Sequence, residues 1–311
     1  MSEASKDAVQ PRFEVAVDGG PAGDAGAREK LSDLAKQISA LKLTKAALPH
    51  LKRGVALSQA GKFDGAAKSA RKAVDLDPSL LIGWHLLGIA LEKIEDFAGA
   101  LDAYEKGLAL DPENPPIAND LGRLAMRMGM YPQAEILFRH YLAHFPNTPE
   151  SANNLGCVLR NQMRLQEAID ILKPALQRHP DKVLLWLTLG TVVGDMGDTD
   201  SAMAFYEEAI RLDPKNVKAR YNLSNMLYAK GQVDEAIALV KAALKDGELP
   251  TDITMMKFAL SVFLLSRGEL AEGWEYYRAR LEPHYHEPIH FLCTRPRWEP
   301  GADIAGRHLM L

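Results

Sequence analysis

Three arginines are the residues in this chain best placed to bind a charged ligand. Arg123 and Arg127 are four residues apart, so they share one face of a helix. Arg160 follows in the next stretch of similar sequence, close enough to join them. Because a guanidinium donates two parallel hydrogen bonds to a carboxylate, these arginines favour a site for the acidic groups of a partner. The alternative is a solvated polar face, since exposed arginines are common.

Amide and carboxylate side chains recur in the same stretches. Asp120, Asn154 and Asn222 occupy one position of a repeating pattern. A side-chain amide can hydrogen-bond the backbone of a bound peptide without reading its sequence. The alternative is a local bond to a neighbouring helix. Other residue types interrupt the series, namely Lys52, Leu86 and Thr188.

The residue types that bind metals or act as nucleophiles are sparse. His284, His286, His290 and Cys293 fall within ten residues, and imidazole and thiolate suit zinc. The segment has no second pair at zinc-finger spacing, so a metal site is not predicted. Cys157 lies at a groove position, has no His–Asp neighbours in its repeat, and is interpreted as a plain small groove residue. Phosphate-binding and nucleophile-elbow motifs are absent from the sequence, so we predict no catalytic residue and no cofactor in this chain.

These side chains are carried by a pattern with a period of 34 residues. Small residues mark the eighth and twentieth positions of each unit, and a proline marks the thirty-second. The series are Gly54, Gly88, Gly122, Gly156, Gly190; Ala66, Ala100, Ala134, Ala168, Ala202; and Pro78, Pro112, Pro146, Pro180, Pro214. Residues without a bulky side chain let helices approach closely, and proline ends a helix. The pattern predicts a unit of helix, turn and helix.

The period and residue types resemble the tetratricopeptide repeat. The resemblance implies an all-α fold, a right-handed superhelical solenoid of about seven helix-turn-helix repeats with an N-terminal capping helix and an irregular C-terminal tail. We expect a disordered segment over residues 1–27, because it has few large apolar groups. A capping helix over 28–46 and an array over 47–287 follow. The predicted repeats are 47–80, 81–114, 115–148, 149–182, 183–216, 217–250 and 254–287, before a linker and the start of a truncated C-terminal domain at 288–311.

In such a superhelix the first helix of each repeat lines a concave groove. The groove is expected to bind a protein or peptide client. The predicted groove residues are His85, Lys93, Asn119, Asp120, Arg123, Arg127, Asn153, Asn154, Arg160, Asn161, Tyr221, Asn222, Asn225 and Tyr228.

Composition excludes several other classes of function. The net charge of −4 gives no basis for binding nucleic acid or an anionic membrane. Two cysteines in 311 residues fit a reducing compartment. Neither a secretory apolar segment nor a run of roughly 20 apolar residues occurs, so we expect a cytoplasmic protein.

The repeat pattern weakens towards the C-terminal end. Ser224 stands where glycine is expected, and Gly273 replaces the small alanine. Larger apolar residues appear, which fits either a capping repeat or a docking face. Trp84, Trp186 and Trp274 are interpreted as core or cap residues.

A second resemblance starts where the pattern weakens. It is carried by Gly268–Leu270, Glu272–Trp274, Tyr277, Arg278 and Arg280, then by Trp298, Gly301, Ile304–Arg307 and Leu309–Leu311. These residues resemble the junction in bacterial tetratricopeptide proteins that continue into a glycosyltransferase-like domain, an architecture similar to the O-linked N-acetylglucosamine transferases. Glu299 and Pro300 depart from that pattern.

The second resemblance implies that the repeats recruit a glycosylation acceptor, such as a surface or flagellar protein. It implies a sugar nucleotide in a domain that this chain does not contain, and no catalytic residue carries over. The alternative is a free-standing adaptor or co-chaperone in secretion or envelope assembly. A homodimer stays open.

Overall fold

A computed structural model of the chain describes residues 31–35, 46–247, 249–282 and 285. From Ala47 onwards this part forms fourteen α-helices and a short 3-10 helix at Arg278–Leu281. The all-helical fold predicted from the sequence is therefore confirmed. The helices are α1 Ala47–Gln59, α2 Phe63–Leu76, α3 Leu81–Lys93, α4 Phe97–Leu110, α5 Pro115–Arg127, α6 Tyr131–His144, α7 Pro149–Asn161, α8 Leu165–Arg178, α9 Val183–Asp195, α10 Thr199–Leu212, α11 Val217–Ala229, α12 Val233–Asp246, α13 Pro250–Ser266 and α14 Leu270–Tyr277.

Consecutive helices come in seven pairs, each joined by a short turn, which we number as repeats one to seven. In the first six, the first helix has 13 residues and the second has 14. The seventh differs, since α13 has 17 residues and α14 has eight. The three residues between the last two predicted repeats, 251–253, thus lie within a helix. Pro250 starts that helix, where its fixed φ suits the first turn and its missing N–H leaves no bond unmade.

The turn inside each hairpin needs a residue with positive φ. Glycine supplies it in five of the seven described turns, with φ from 72° at Gly61 to 87° at Gly197 and Gly268. Glu95 and Met163 hold the same register with φ of 63° and 60°. A residue with a Cβ is strained in this left-handed region, so these two turns are less favourable than the others.

Glycine at the eighth position makes room for a large side chain of the second helix. An ideal Cβ on Gly122 would lie 2.8 Å from Cε1 of Phe138, and one on Gly156 would lie 2.8 Å from Leu172. The alanines at the twentieth position have no exposed surface in the first six repeats. This contact of a small residue with a large one sets the spacing of the two helices in repeats two to five.

Tryptophans tie some hairpins to the turn that precedes them. The Nε1 atom of Trp84 donates to the carbonyl oxygen of Pro78 at 2.8 Å, and Trp186 makes the same bond to Pro180. Trp274 departs from the interpretation as a core or cap residue, because 57% of its surface is exposed. It lies at the register of Ile237, which is buried, but only the short 3-10 helix follows α14 in the described part of the chain.

The chain divides into two compact units, one up to Met226 and one from Leu227 onwards. In the first unit, helical residues 31–35 bury Leu31 and Leu34 in the core of the first repeats. The remainder of the predicted capping helix lies outside the described residues. The predicted disordered segment 1–27, the segment 288–311, and His284, His286, His290 and Cys293 also lie outside them. None of the described helices has the length and apolar character that crossing a bilayer requires.

Candidate functional site

The candidate site is a face made by the first helices of repeats two to five, α3, α5, α7 and α9. We call it the first-helix face and define it by the fifth, sixth, ninth, twelfth and thirteenth residues of those helices. The fifth and sixth positions form what we call the inner rows. The predicted residues in these rows are buried, namely His85, Asn119, Asp120, Asn153 and Asn154. The thirteenth position, which we call the outer row, is exposed at Lys93 and Arg127 and half-buried at Asn161. Arg123 and Arg160, at the ninth and twelfth positions, are half-buried. All of these residues were predicted to have the same role, but they differ in how deeply their side chains are buried.

The four remaining predicted residues lie in α11. Tyr221, Asn222 and Asn225 are buried in the first unit, with 4–5% of their surface exposed. Tyr228 lies in the second unit, where its ring stacks on Phe263 with centroids 4.7 Å apart. A ligand therefore has little access to the first three side chains as they stand.

Polar pairs link successive repeats across the inner rows. Nε2 of His85 lies 2.9 Å from Oδ2 of Asp120, and Nδ2 of Asn154 donates to Oδ1 of Asn119 at 2.9 Å. Both pairs join residues 35 apart, one repeat and one position along. Asp120 and Asn154 thus make the bonds to a neighbouring helix that the sequence left as an alternative. Because these four buried side chains are paired across neighbouring repeats, the bonds hold the helices in register.

Cys157 belongs to a further link between repeats. The Oγ1 atom of Thr188 donates to Oδ1 of Asn153 at 2.6 Å, again 35 residues away. The Sγ atom of Cys157 lies 3.9 Å from that hydroxyl, and 4% of the cysteine surface is exposed. A buried thiol of this kind packs as a small residue, in line with the interpretation of Cys157 as a plain small residue rather than a nucleophile.

Each of the three arginines donates to a carboxylate of the chain. Nη1 of Arg127 lies 3.2 Å from Oε1 of Glu92, and Nε of Arg160 lies 2.5 Å from Oδ2 of Asp195. Both pairs again join residues 35 apart. A carboxylate on a partner would share these guanidiniums with an internal acid. Arginine has five N–H donors, so one internal bond leaves capacity for a second acceptor.

Arg123 differs from the other two arginines because its partner lies in its own helix and one of its donor atoms is buried and, within the described part of the chain, unpaired. Its Nη2 donates to Oδ1 of Asp120 at 3.0 Å, while its Nε is buried without a hydrogen-bond partner among the described residues. Burial alone would lower the pKa of Arg123, but Asp120, Glu92 and the nearby Tyr104 raise it, so the group stays charged. Burial first, then the same carboxylates, raise the pKa of Tyr104 well above its usual value. A neutral tyrosine and a charged arginine therefore coexist beneath the face.

The side chains at the thirteenth position change in charge from one repeat to the next along the face. The position is cationic in repeats two and three, at Lys93 and Arg127, and polar and neutral at Asn161 in repeat four. In repeat five it is the anionic Asp195. Charges at this depth act on an approaching partner through solvent and are weakened by salt.

A polar hub outside the face was not predicted from the sequence. Glu135 in α6 accepts from Arg139 at 2.8 Å, from Gln162 at 2.9 Å and from Nη1 of Arg164 at 2.5 Å. Burial alone would raise the pKa of Glu135, but these hydrogen bonds lower it below its ordinary value. The hub joins repeat three to the turn inside repeat four.

A signal for the inter-repeat pairs was present in the sequence. Pairs of complementary polar residues recur 35 residues apart, as in Glu92 with Arg127 and Arg160 with Asp195. A search at the repeat period of 34 compares equivalent residues and misses them. The separation is 35 rather than 34 because the two side chains in contact occupy adjacent positions of their repeats, the fifth with the sixth or the twelfth with the thirteenth.

Family profiles described as tetratricopeptide repeat match much of the chain. One matches residues 95–155 and 195–251, a second matches 51–115, and a third matches 150–179. Together these ranges cover more than half of the sequence.

One curated relative matches a short part of the chain. Protein FlbA of Caulobacter vibrioides is 39% identical over 71 residues, which are 23% of this chain and 12% of that protein. The match thus spans a small fraction of the relative's length.

Solved structures show the same fold at low sequence identity. A tetratricopeptide repeat protein from Parabacteroides merdae has a TM-score of 0.67 and 15% identity, over 76% of this chain and 92% of its own. A chain in the crystal structure of the APC/C hetero-tetramer Cut9-Hcn1 has a TM-score of 0.59 and 19% identity, over 77% of this chain and 46% of its own. MamA residues 41 to the end, from Desulfovibrio magneticus, has a TM-score of 0.53 and 17% identity, over 56% and 98%. With the profile matches, these likenesses place the chain among the tetratricopeptide repeat proteins.

Proposed function

We propose that the first-helix face binds an extended segment of a partner protein. The observation that carries this proposal is the series of bonds between residues 35 apart, which fixes polar side chains of repeats two to five along one face. Side chains already held in place lose little conformational entropy when a ligand arrives. A repeated fixed face matches the repeated backbone of an extended peptide.

The charge direction of the outer row specifies the partner further. Lys93 and Arg127 attract acidic side chains at repeats two and three, and Asp195 attracts a basic side chain at repeat five. Complementary charges set the register and the approach of a ligand more than its total affinity. The proposed partner segment therefore has an acidic end and a basic end.

Two short probe peptides of the same composition test this direction. One has its acidic residues before its basic residues, and the other has the reverse order. We expect one order to bind at least about tenfold more tightly, measured by fluorescence anisotropy at low salt. Equal affinities for both orders would contradict the proposed direction.

Substitutions locate the bound peptide. The double variant K93Q/R127Q removes two exposed cations from the face, and it should abolish the preference for one order. The matched control K173Q/R211Q removes exposed cations of second helices, α8 and α10, and should leave the preference unchanged. A loss of preference in the control alone would place the peptide elsewhere.

We further propose that the array recruits the acceptor polypeptide of a protein glycosyltransferase. The support is a resemblance to the last repeat helix of proteins that continue into a sugar-transfer domain, carried by Gly268–Leu270, Glu272–Trp274, Tyr277, Arg278 and Arg280. Binding of an acceptor along the repeats would present it to that domain. The sugar nucleotide would belong to that domain and not to the repeats. Cytoplasmic location is part of the same proposal.

Transfer of tritiated N-acetylglucosamine from its uridine diphosphate donor tests this role in the full-length protein encoded by the gene. The expected result is label on a protein acceptor, with K93Q/R127Q lowering transfer but not donor hydrolysis. Absence of both transfer and hydrolysis would favour the free-standing adaptor in secretion or envelope assembly. Light scattering on the same sample tests whether the protein forms a homodimer.

A further inference from the structure

A cluster of metal-ligand side chains lies away from the first-helix face, in the outer part of repeats two and three. His140 and His144 are one turn apart on α6, and their ring centroids are 4.5 Å apart. Glu113, in the turn between α4 and α5, brings its Oε2 within 3.7 Å of Nδ1 of His140. One ligand atom from each of the three residues lies within 4.8 Å of the others.

Each imidazole already has its second nitrogen on a backbone carbonyl. Nε2 of His140 lies 3.2 Å from the carbonyl oxygen of Glu113, and Nδ1 of His144 lies 3.0 Å from that of His140. Such bonds fix the tautomer, because the nitrogen facing the carbonyl carries the proton. Metal-binding histidines in proteins are oriented in this way, with the opposite nitrogen left as the ligand.

We propose that Glu113, His140 and His144 bind a single divalent transition-metal ion, for which Zn²⁺ is the best-suited candidate. The ligands would be Nδ1 of His140, Nε2 of His144 and a carboxylate oxygen of Glu113. Two imidazoles and a carboxylate suit zinc and its neighbours in the transition series better than calcium or magnesium. The fourth position would take water or a group from a partner.

Little movement is needed to close the site. Zinc bonds of roughly 2.1 Å in a tetrahedron place ligand atoms about 3.4 Å apart. The 3.7 Å separation of Glu113 and His140 is near that value already. Glu113 exposes 78% of its side chain, so it can rotate onto an ion without disturbing packed residues.

The bound ion would join two repeats. It would tie the turn that ends repeat two to the second helix of repeat three. A ligand that binds the folded state alone raises the melting temperature, and the gain grows with the logarithm of its concentration relative to Kd. This site shares no residue with the first-helix face, so its failure would leave the proposed peptide binding untouched.

Zinc titration against a chromophoric chelator tests the site in the full chain. We expect one zinc ion per wild-type chain, bound at least about tenfold less tightly by H140N and by H144N. The matched control H179N changes another histidine that faces a backbone carbonyl, at 2.7 Å from Asn147, with no histidine one turn before it. Its affinity for zinc should equal that of the wild type.

A second control tests whether zinc binds instead to the histidine and cysteine residues near the C-terminal end of the chain. The variant H290N/C293S alters the histidine-rich segment that lies outside the described residues, and it should still bind zinc as the wild type does. Zinc should also raise the melting temperature of the wild type but not of H144N. Unchanged binding by H140N and H144N, or a loss confined to H290N/C293S, would overturn the assignment.

Discussion

The ring of Tyr104 occupies the space that a side chain on Gly88 would need. Its Cε1 lies 2.4 Å from the ideal Cβ position of that glycine, closer than real Cβ atoms approach any neighbour. Tyr104 is fully buried, and its hydroxyl donates to Oε2 of Glu92 at 3.2 Å, so the ring is fixed at both ends. The hairpin of repeat two therefore depends on a glycine at this position.

Substitution of Gly88 by alanine should destabilise the protein. The added methyl group forces Tyr104 to shift, and overpacking of this kind costs about 1–3 kcal/mol of unfolding free energy. The measurement is urea unfolding followed by circular dichroism. The matched control is Gly194→Ala, where the nearest atom would be 3.5 Å away in ordinary contact. It should stabilise α9 by about 0.5–1 kcal/mol, because alanine favours a helix more than glycine does. Equal effects of the two changes would contradict the packing explanation.

Replacement of Glu95 or Met163 by glycine should stabilise the protein. Both residues hold positive φ in the turn inside a hairpin, where five other repeats have glycine. Relief of the strain at positive φ should add about 1 kcal/mol of unfolding free energy per site. The greater conformational entropy of glycine in the unfolded chain offsets part of this gain. Thermal melting measures the net gain. Gly129→Ala, with φ of 74°, tests the same turn in the opposite direction and should lower the melting temperature.

Glu135 should make stability depend on acid pH. Its pKa is lowered in the folded protein by hydrogen bonds from Gln162, Arg139 and Arg164, which outweigh the effect of burial. A folded pKa below the unfolded pKa gives stability that is present above the unfolded value, about 4.3, and is lost as pH falls through the folded value. E135Q should therefore destabilise the protein at pH 7 by about 1–3 kcal/mol and by less at pH 3. Urea unfolding at both pH values measures this difference. A constant effect at both would contradict it.

Removal of Asp120 should be more damaging than its neutralisation. The carboxylate exposes 1% of its side chain and contacts both His85 and Arg123. D120A leaves the arginine largely buried without that counter-charge, which costs about 3–5 kcal/mol. D120N keeps the shape and a hydrogen-bond acceptor, so its loss should be smaller. Urea unfolding compares the two variants, and a larger loss in D120N would show that charge is not the cause.

The sequence was sufficient to predict the fold, because the apolar and small residues repeat strictly. Gly122 facing Phe138 has its counterpart in Gly156 facing Leu172, and such a contact can be inferred from the period alone. The depth of the polar residues could not be inferred in the same way. Asn153 and Arg127 belong to the same predicted groove, yet the first is buried and the second is exposed. Depth depends on how the helices stack, which the period does not specify.

The metal cluster shows a second limit. The spacing of His140 and His144 is visible in the sequence as one helical turn. Glu113 is 27 residues before His140 and carries no pattern of its own. Only the turn between α4 and α5 brings it to the two imidazoles. Ligands contributed by turns depend on three-dimensional position rather than on sequence spacing.

The bonds between residues 35 apart also give the repeats a fixed order. Removal of one whole repeat, residues 115–148, would keep every small and large residue in register. Yet it would set His85 opposite Asn154 in place of Asp120, and Glu92 opposite Asn161 in place of Arg127. The recurring small and large apolar residues make the repeats alike in shape. The polar pairs make each repeat complementary to the particular repeats beside it. An array of this kind can lengthen by duplication, but its present members cannot exchange places without loss.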